Sequence, residues 1–170
     1  PNLDNYKDVL LGLYKQLDIN NCCEIGIGWN AFSIDYILTN YKKEDFVYYA
    51  VENDLHPKAI EILRKHDPKR YKILQGHSRN ADLYRDLPKI DVFCIDGDHS
   101  FEGVYGDIKI CYELDLLKEN GYIIFHDSDS VLIKQALYTS IKDFGLEYLI
   151  FENANFAIGK FNKSLKNLYS

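Results

Sequence analysis

Residues Asp91–Ile108 read DVFCIDGDHSFEGVYGDI, and this stretch decides the fold. Val92, Phe93, Cys94 and Ile95 form an unbroken apolar run, the pattern of a strand covered on both faces. The run ends abruptly in Asp96, Gly97, Asp98 and His99, and from Phe101 onward apolar residues return at helical spacing. A buried strand that passes into a helix through a polar turn is the repeating unit of a parallel α/β sheet, in which ligands bind beyond the carboxyl ends of the strands.

The same alternation extends outward in both directions. Upstream, the spacing predicts a helix over Asp4 to Leu17, a strand over Asn21 to Gly26, a helix over Asn30 to Tyr41 and a strand over Phe46 to Val51. A helix follows over His56 to Lys65 with Pro57 in its first turn, then a strand over Tyr71 to Leu74 and a short helix over Asn80 to Asp86. Downstream, a helix over Phe101 to Leu117 leads to a strand over Gly121 to Phe125, then to a helix over Val131 to Phe144 stopped by Gly145. The last two strands, Glu147 to Phe151 and Phe156 to Phe161, are separated only by Glu152 to Asn155, a link too short for a helical crossover, so they pair antiparallel. Five βα units and a terminal hairpin make a mostly parallel sheet with helices on both faces.

Composition bounds what such a chain binds. With 170 residues and 46% hydrophobic content, it is expected to form a single domain over 1–170, an N-terminal helix within 1–20 and a core over 21–161. A net charge of −6 and a pI near 5.3 argue against binding a nucleic-acid backbone and favour a small molecule. The four cysteines lie in apolar runs without CxxC spacing and read as reduced core residues. No apolar run approaches the ~20 residues that span a bilayer and Pro1 opens no signal pattern, so no membrane partner and a cytoplasmic location are expected.

The strand ends hold the candidate site. After the first strand, EIGIGWNAFS (24–33) supplies Gly26 and Gly28, which permit a tight turn and close approach of a ligand to backbone ahead of a helix N-terminus. Glu52, with Asn53 beside it, lies 24 residues after Gly28, where an acidic residue accepts hydrogen bonds from ribose hydroxyls. The third end, QGHSRN (75–80), offers Gly76, His77 and Ser78 as the edge of an adenine pocket or as an ordinary turn in which Ser78 or Asn80 caps the short helix. The fourth and fifth ends bring Asp96, Asp98, His99, His126 and Asp127 toward one cleft, with Asp129 as a helix cap. Converging carboxylates without Lys or Arg repel one another, a penalty that a divalent cation removes.

IDGDHSFEGVYGDI at 95–108 and GYIIFHDS at 121–128 resemble the class I S-adenosylmethionine (SAM)-dependent methyltransferases, in particular a small-molecule group with IDGDHS-like text after the fourth strand and HD after the fifth. The likeness runs from Asn21 to Phe161. It implies a Rossmann-like seven-stranded sheet in the order 3-2-1-4-5-7-6 with strand 7 antiparallel, SAM as cofactor and O-methylation of a hydroxyl acceptor. It also implies the Glu24, Gly26 and Gly28 loop against the methionine part, Glu52 on the ribose, and His77 and Ser78 near the adenine. In related metal-dependent enzymes the magnesium positions fall on Asp96, His126 and Asp127. His126 departs from their pattern, which leaves open Asp98 as a substitute ligand, a softer metal, or no metal with His99 or His126 as a base. Asn30 stands where the family's third glycine is usual, where its amide either crowds the cofactor or contacts its carboxylate.

Two rival readings remain at the level of sequence. Gly26, Gly28 and Ala31 satisfy a GxGxxA dinucleotide pattern, although the terminal hairpin and the acidic cleft count against a nicotinamide enzyme. A methyltransferase-like binding domain that has lost turnover is the other; against it, a partner chain, as in a homo-oligomer, could supply a substrate lid, and the acidic and histidine residues at the fourth and fifth strand ends speak for retained chemistry.

Overall fold

A computed structural model describes residues 3–151, 155–162 and 164–165. The chain runs α1 (Leu3–Leu17), β1 (Asn21–Ile25), α2 (Phe32–Asn40), β2 (Val47–Glu52), α3 (Pro57–Leu63) and β3 (Tyr71–Gln75), then a 3-10 turn over Ala81–Tyr84. It continues through β4 (Ile90–Ile95), α4 (Phe101–Glu113), β5 (Leu117–His126), α5 (Val131–Phe144), β6 (Leu146–Phe151) and β7 (Phe156–Phe161). The seven strands form one sheet in the order β3-β2-β1-β4-β5-β7-β6. Strands β1 to β5 pair in parallel, whereas β7 is antiparallel to both β5 and β6, as the resemblance implied. Most of the link between the last two strands, 152–154, lies outside the described residues.

Period-two alternation divides the core between the two faces of this sheet. Cys22, Tyr48, Ala50, Val92, Cys94 and Ile124 pack with Leu10, Tyr14, Ile34 and Leu38 on the α1 and α2 side. Their neighbours Cys23, Val51, Phe93, Ile95, Ile123 and Phe125 pack with Val104, Ile108, Ile133 and Leu137 on the α4 and α5 side. All four cysteines are buried and free, consistent with their expected place in the core.

The register levels the strand ends. Ile25 lies opposite both Val51 and Ile95, Ile95 opposite Phe125, and Glu52 opposite Gln75. The loops after all five parallel strands therefore open on one edge.

Four elements differ from the sequence reading for local reasons. The helix expected to reach Leu117 ends at Glu113, because Asp115 adopts a left-handed conformation (φ 50°) and the Leu116 amide bonds back to the Cys111 carbonyl. Leu117 then begins β5, and the six residues from Leu117 to Tyr122 face only Ile90 to Val92 on β4, an irregularity that lengthens the strand. The expected helix over 80–86 is a single 3-10 turn capped by the Asn80 side chain. Helix α2 starts at Phe32, since Ala31 is left-handed (φ 45°) and the preceding residues form a turn.

Candidate active site

Gly26 sets the geometry at the centre of the edge. Its φ is +82°, and a Cβ there would stand 2.6 Å from the Asp96 carbonyl oxygen, so only glycine lets the β1 and β4 loops touch. The contact is extended by backbone bonds from the Gly26 amide to Val51 (2.9 Å) and from the Asp96 amide to Ile25 (3.0 Å). Beyond it, Gly28 (φ +67°) has no neighbour in the space a side chain would fill. Glu52 accepts the amide hydrogens of Ile27 (2.9 Å) and Asp54 (3.2 Å), which ties the first and second loops together and fixes its carboxylate.

A cavity of about 420 Å³ opens over these loops, within the usual range for small-molecule sites. It runs from Gly26 and Asp96 past Glu52, Asn53 and Asp54 to Gly76, His77, Ser78 and Arg79. Gly26, Gly28, Glu52, Asn53, His77, Ser78 and Asp96, expected from sequence to meet a nucleoside, all line it. At its far end Ser78 donates to Asp107 Oδ1 on α4 (2.5 Å), while the Tyr84 hydroxyl donates to the Ser78 carbonyl (2.6 Å). Ser78 is therefore not the cap of the 3-10 turn. Asp107 is only 2% exposed, and burial pushes its carboxyl up to about 6 against the smaller opposing effects of Ser78 and Arg79.

At the other end, four titratable groups meet. Asp96, His126 and Asp127 each offer a ligand atom within 4.8 Å of the others. His126 Nδ1 is 3.2 Å from Asp96 Oδ1 and 3.7 Å from Asp127 Oδ2, and His99 Nε2 lies 3.4 Å from the same two carboxylate oxygens. His126 is 8% exposed, and its Nδ1 has no hydrogen bond of good geometry among the described residues. Burial opposes charge on this ring, but the Asp96 and Asp127 carboxylates outweigh it and hold its pKa above the ordinary histidine value.

Two residues that the sequence reading did not single out hold this cluster. Tyr6 of α1 stacks on the His126 ring (centroids 4.1 Å apart, 23° between planes). Asn155, just before β7, donates to Asp127 Oδ1 (2.9 Å) and accepts from the Asp129 amide (2.9 Å), while its carbonyl accepts the Asp127 amide. This clamp keeps Asp127 left-handed (φ 58°) and leaves Oδ2 facing the histidines. It exists because Phe156 pairs with His126 in the antiparallel register, a long-range fact with no local signature. The α5 N-cap is Ser130, so neither Asp127 nor Asp129 caps that helix.

Asp98 lies outside the cluster. Its oxygens accept from the Ser100 amide and hydroxyl, each at 2.9 Å, and those bonds hold its carboxyl below the usual carboxylate range. Ser100 in turn caps α4 by accepting the Gly103 amide, so Asp98 supports the helix start.

A second cavity of about 320 Å³ adjoins the first across Gly26, Gly28 and Asp96. Tyr6, Lys7, Asn30, Phe32 and His126 line it, and Trp29, stacked on His56 (4.7 Å, 6°), stands between the two. Asn30 thus belongs to the second cavity and not to the nucleoside-sized one. Glu24 lies buried at the end of β1, and neither of its oxygens has a hydrogen bond of good geometry among the described residues. Burial, followed by the Asp96 charge, pushes its carboxyl well above the ordinary value, with smaller opposing effects from Tyr48 and Ser33.

A family model described as a methyltransferase domain matches residues 23–128, which run from within β1 to just past β5 and include all five parallel strand ends. The fold is similar to SAH-bound methyltransferase PaMTH1 of Podospora anserina (TM-score 0.78, 14% identity, 95% of this chain and 82% of that one). It is also similar to an O-methyltransferase of Bacillus cereus in complex with SAH (0.70, 14%, 95% and 82%). A third similar structure is the O-methyltransferase TomG of Streptomyces achromogenes, involved in tomaymycin synthesis and solved with SAM (0.69, 12%, 95% and 81%). At these identities the structural likeness speaks for the fold, and no curated protein matches the sequence. The matched residues carry the family, and the fold agrees: the chain belongs to the class I methyltransferase family.

Proposed function

We propose that the chain is a single-domain, SAM-dependent methyltransferase that acts on the hydroxyl group of a small molecule, assisted by a divalent cation. The observation that carries this reading is the junction of two cavities at Asp96, with the Asp96, His126 and Asp127 ligand atoms gathered beside it. The larger cavity fits the cofactor: Gly26 and Gly28 leave backbone exposed and Glu52 is fixed for the ribose, while Glu24, buried at the end of β1, lines neither cavity. SAM, when bound, supplies an electrophilic methyl on a sulfonium. The smaller cavity, with Trp29, Asn30 and Phe32 on its wall, takes the acceptor.

An alcohol is a poor nucleophile at neutral pH, so the residues at the junction must manage its proton. Asp96, Asp127 Oδ2 and His126 Nδ1 would hold the cation, which when bound lowers the acceptor's pKa. Magnesium prefers oxygen ligands, and the imidazole in this set favours a softer ion such as zinc or iron(II); manganese, which suits the two carboxylates, serves as the divalent probe. His99 is about half exposed and donates from Nε2 toward both carboxylates, which leaves Nδ1 as the nitrogen to accept the hydroxyl proton and pass it to solvent. Trp29 and Tyr6 exclude water and orient the acceptor beside Asp96.

Titration calorimetry with S-adenosylhomocysteine, NAD and manganese tests the proposal. Saturable heat with S-adenosylhomocysteine and manganese, with none from NAD, is expected. Heat from NAD alone would install the nicotinamide reading, and absence of manganese binding would remove the cation from the mechanism.

A further inference from the structure

Resting on the methyl-transfer reading above, we propose that Lys7 and Asn30 form an anion subsite in the second cavity, and that the acceptor is a hydroxy acid whose carboxylate they bind. Among the described residues lining that cavity, Lys7 is the one cationic side chain outside the Asp96 and His126 cluster. Its ammonium is held at an aromatic wall, 3.7 Å from the centre of the Phe32 ring and 4.9 Å from that of Tyr36. Asp8, the next residue of α1, accepts the Tyr36 hydroxyl at 2.5 Å, a bond that ties α1 to α2.

Asn30 is the second donor. It stands in the loop where glycine is usual, and it lines the second cavity and not the first. Its side-chain amide has no hydrogen-bond partner among the described residues. An amide and an ammonium together offer a carboxylate one neutral and one charged hydrogen bond. Charge decides which way round an acceptor lies. Asp96 repels a carboxylate, so the anion belongs with Lys7 and the hydroxyl with the junction. Helix α1 keeps the two positions apart. Tyr6 stacks on His126, and Lys7, the following residue, diverges from it by about 100° and reaches Phe32 instead.

The test is calorimetry at neutral pH on the chain saturated with S-adenosylhomocysteine, using 4-hydroxybenzoate and its neutral isostere 4-hydroxybenzamide as probes. Their single ring suits a cavity of about 320 Å³ walled by Tyr6, Trp29 and Phe32. The wild-type chain is expected to bind the acid about 10-fold more tightly than the amide, in line with a charged hydrogen bond gained. In Lys7→Gln the ratio is expected to fall to about twofold or less, while Lys7→Arg, which keeps the charge, holds it above about fivefold. Asn30→Gly is expected to weaken the acid about threefold. Equal binding of acid and amide, or binding of neither, by a chain that does bind S-adenosylhomocysteine overturns this inference alone, and an unchanged ratio in a folded Lys7→Gln does the same. Tighter binding of 4-hydroxyphenyl phosphate than of the acid overturns the carboxylate as the anion. A chain that binds no S-adenosylhomocysteine overturns the methyl-transfer reading and this inference with it. The wild-type comparison needs no variant, so it decides the matter even if Lys7→Gln does not fold.

Discussion

The two ends of the strand edge are built differently. At the nucleoside end nearly every polar group already has a partner. Glu52 accepts two backbone amides, Ser78 and Tyr84 bond in series onto Asp107, and Gly26 locks two loops by backbone contact. At the junction with the second cavity, Asp96, His99, His126 and Asp127 face one another at 3.2–3.7 Å, and the ring nitrogen of His126 lacks a well-formed bond. On the proposed reading, the first is a preformed recognition half, and the second is a cluster of histidines and carboxylates held close together without a complete set of well-formed bonds. If that reading holds, pre-organisation serves affinity in the first and unsatisfied polarity serves chemistry in the second.

Substitutions can break this division or sharpen it. Gly26→Ala should have the largest effect, because the added methyl meets the Asp96 carbonyl in a left-handed backbone. A loss of about 3 kcal/mol and a melting temperature lower by about 10 °C are expected, with both ligands weakened together. Asp96→Ala should separate the halves: manganese binding, read by electron paramagnetic resonance, falls at least about a hundredfold, and S-adenosylhomocysteine affinity falls less than about tenfold. Equal losses would refute the division. Asn155→Ala releases Asp127 Oδ1 and should weaken the cation about thirtyfold, with cofactor affinity unchanged within about twofold.

The smallest effect concerns stability and pH. Asp107 has a folded pKa of about 6, above the ordinary value near 3.9, so the folded chain holds that proton more tightly than the unfolded one. Its contribution is most favourable below about pH 4 and is lost as pH rises through 6. Asp107→Asn removes the buried charge but weakens the bond to Ser78. At pH 8 a net gain of about 1 kcal/mol and about 3 °C in melting temperature is expected, vanishing by pH 4. A variant less stable than wild type at pH 8 would contradict the burial argument.

Most of the sheet was legible because each parallel strand is a short apolar run closed by glycine or acid, and Gly145 marks its helix end in the expected left-handed cap. The α4 terminus was not, since Asp115 takes the role usually left to glycine while Leu116 and Leu117 prolong the helical spacing. Strand ends named the cavity-lining residues well, because position after a strand determines which edge a residue joins. Side-chain direction was another matter. Asp98 and Asp96 are two residues apart with the same chemistry, and only the bonds to Ser100 turn Asp98 away. Tyr6, Asp107 and Asn155 escaped notice because their roles depend on α1 docking, on which face α4 presents, and on the β5–β7 register.

The chain contains a single tryptophan, and Trp29 is 72% exposed on the wall shared by both cavities, with its indole against His56. Its intrinsic fluorescence is therefore a native optical probe free of background from other indoles. On the proposed reading, arrival of either ligand is expected to shield or displace that ring, so emission wavelength and quenching would follow the order of loading in a stopped-flow instrument without any label.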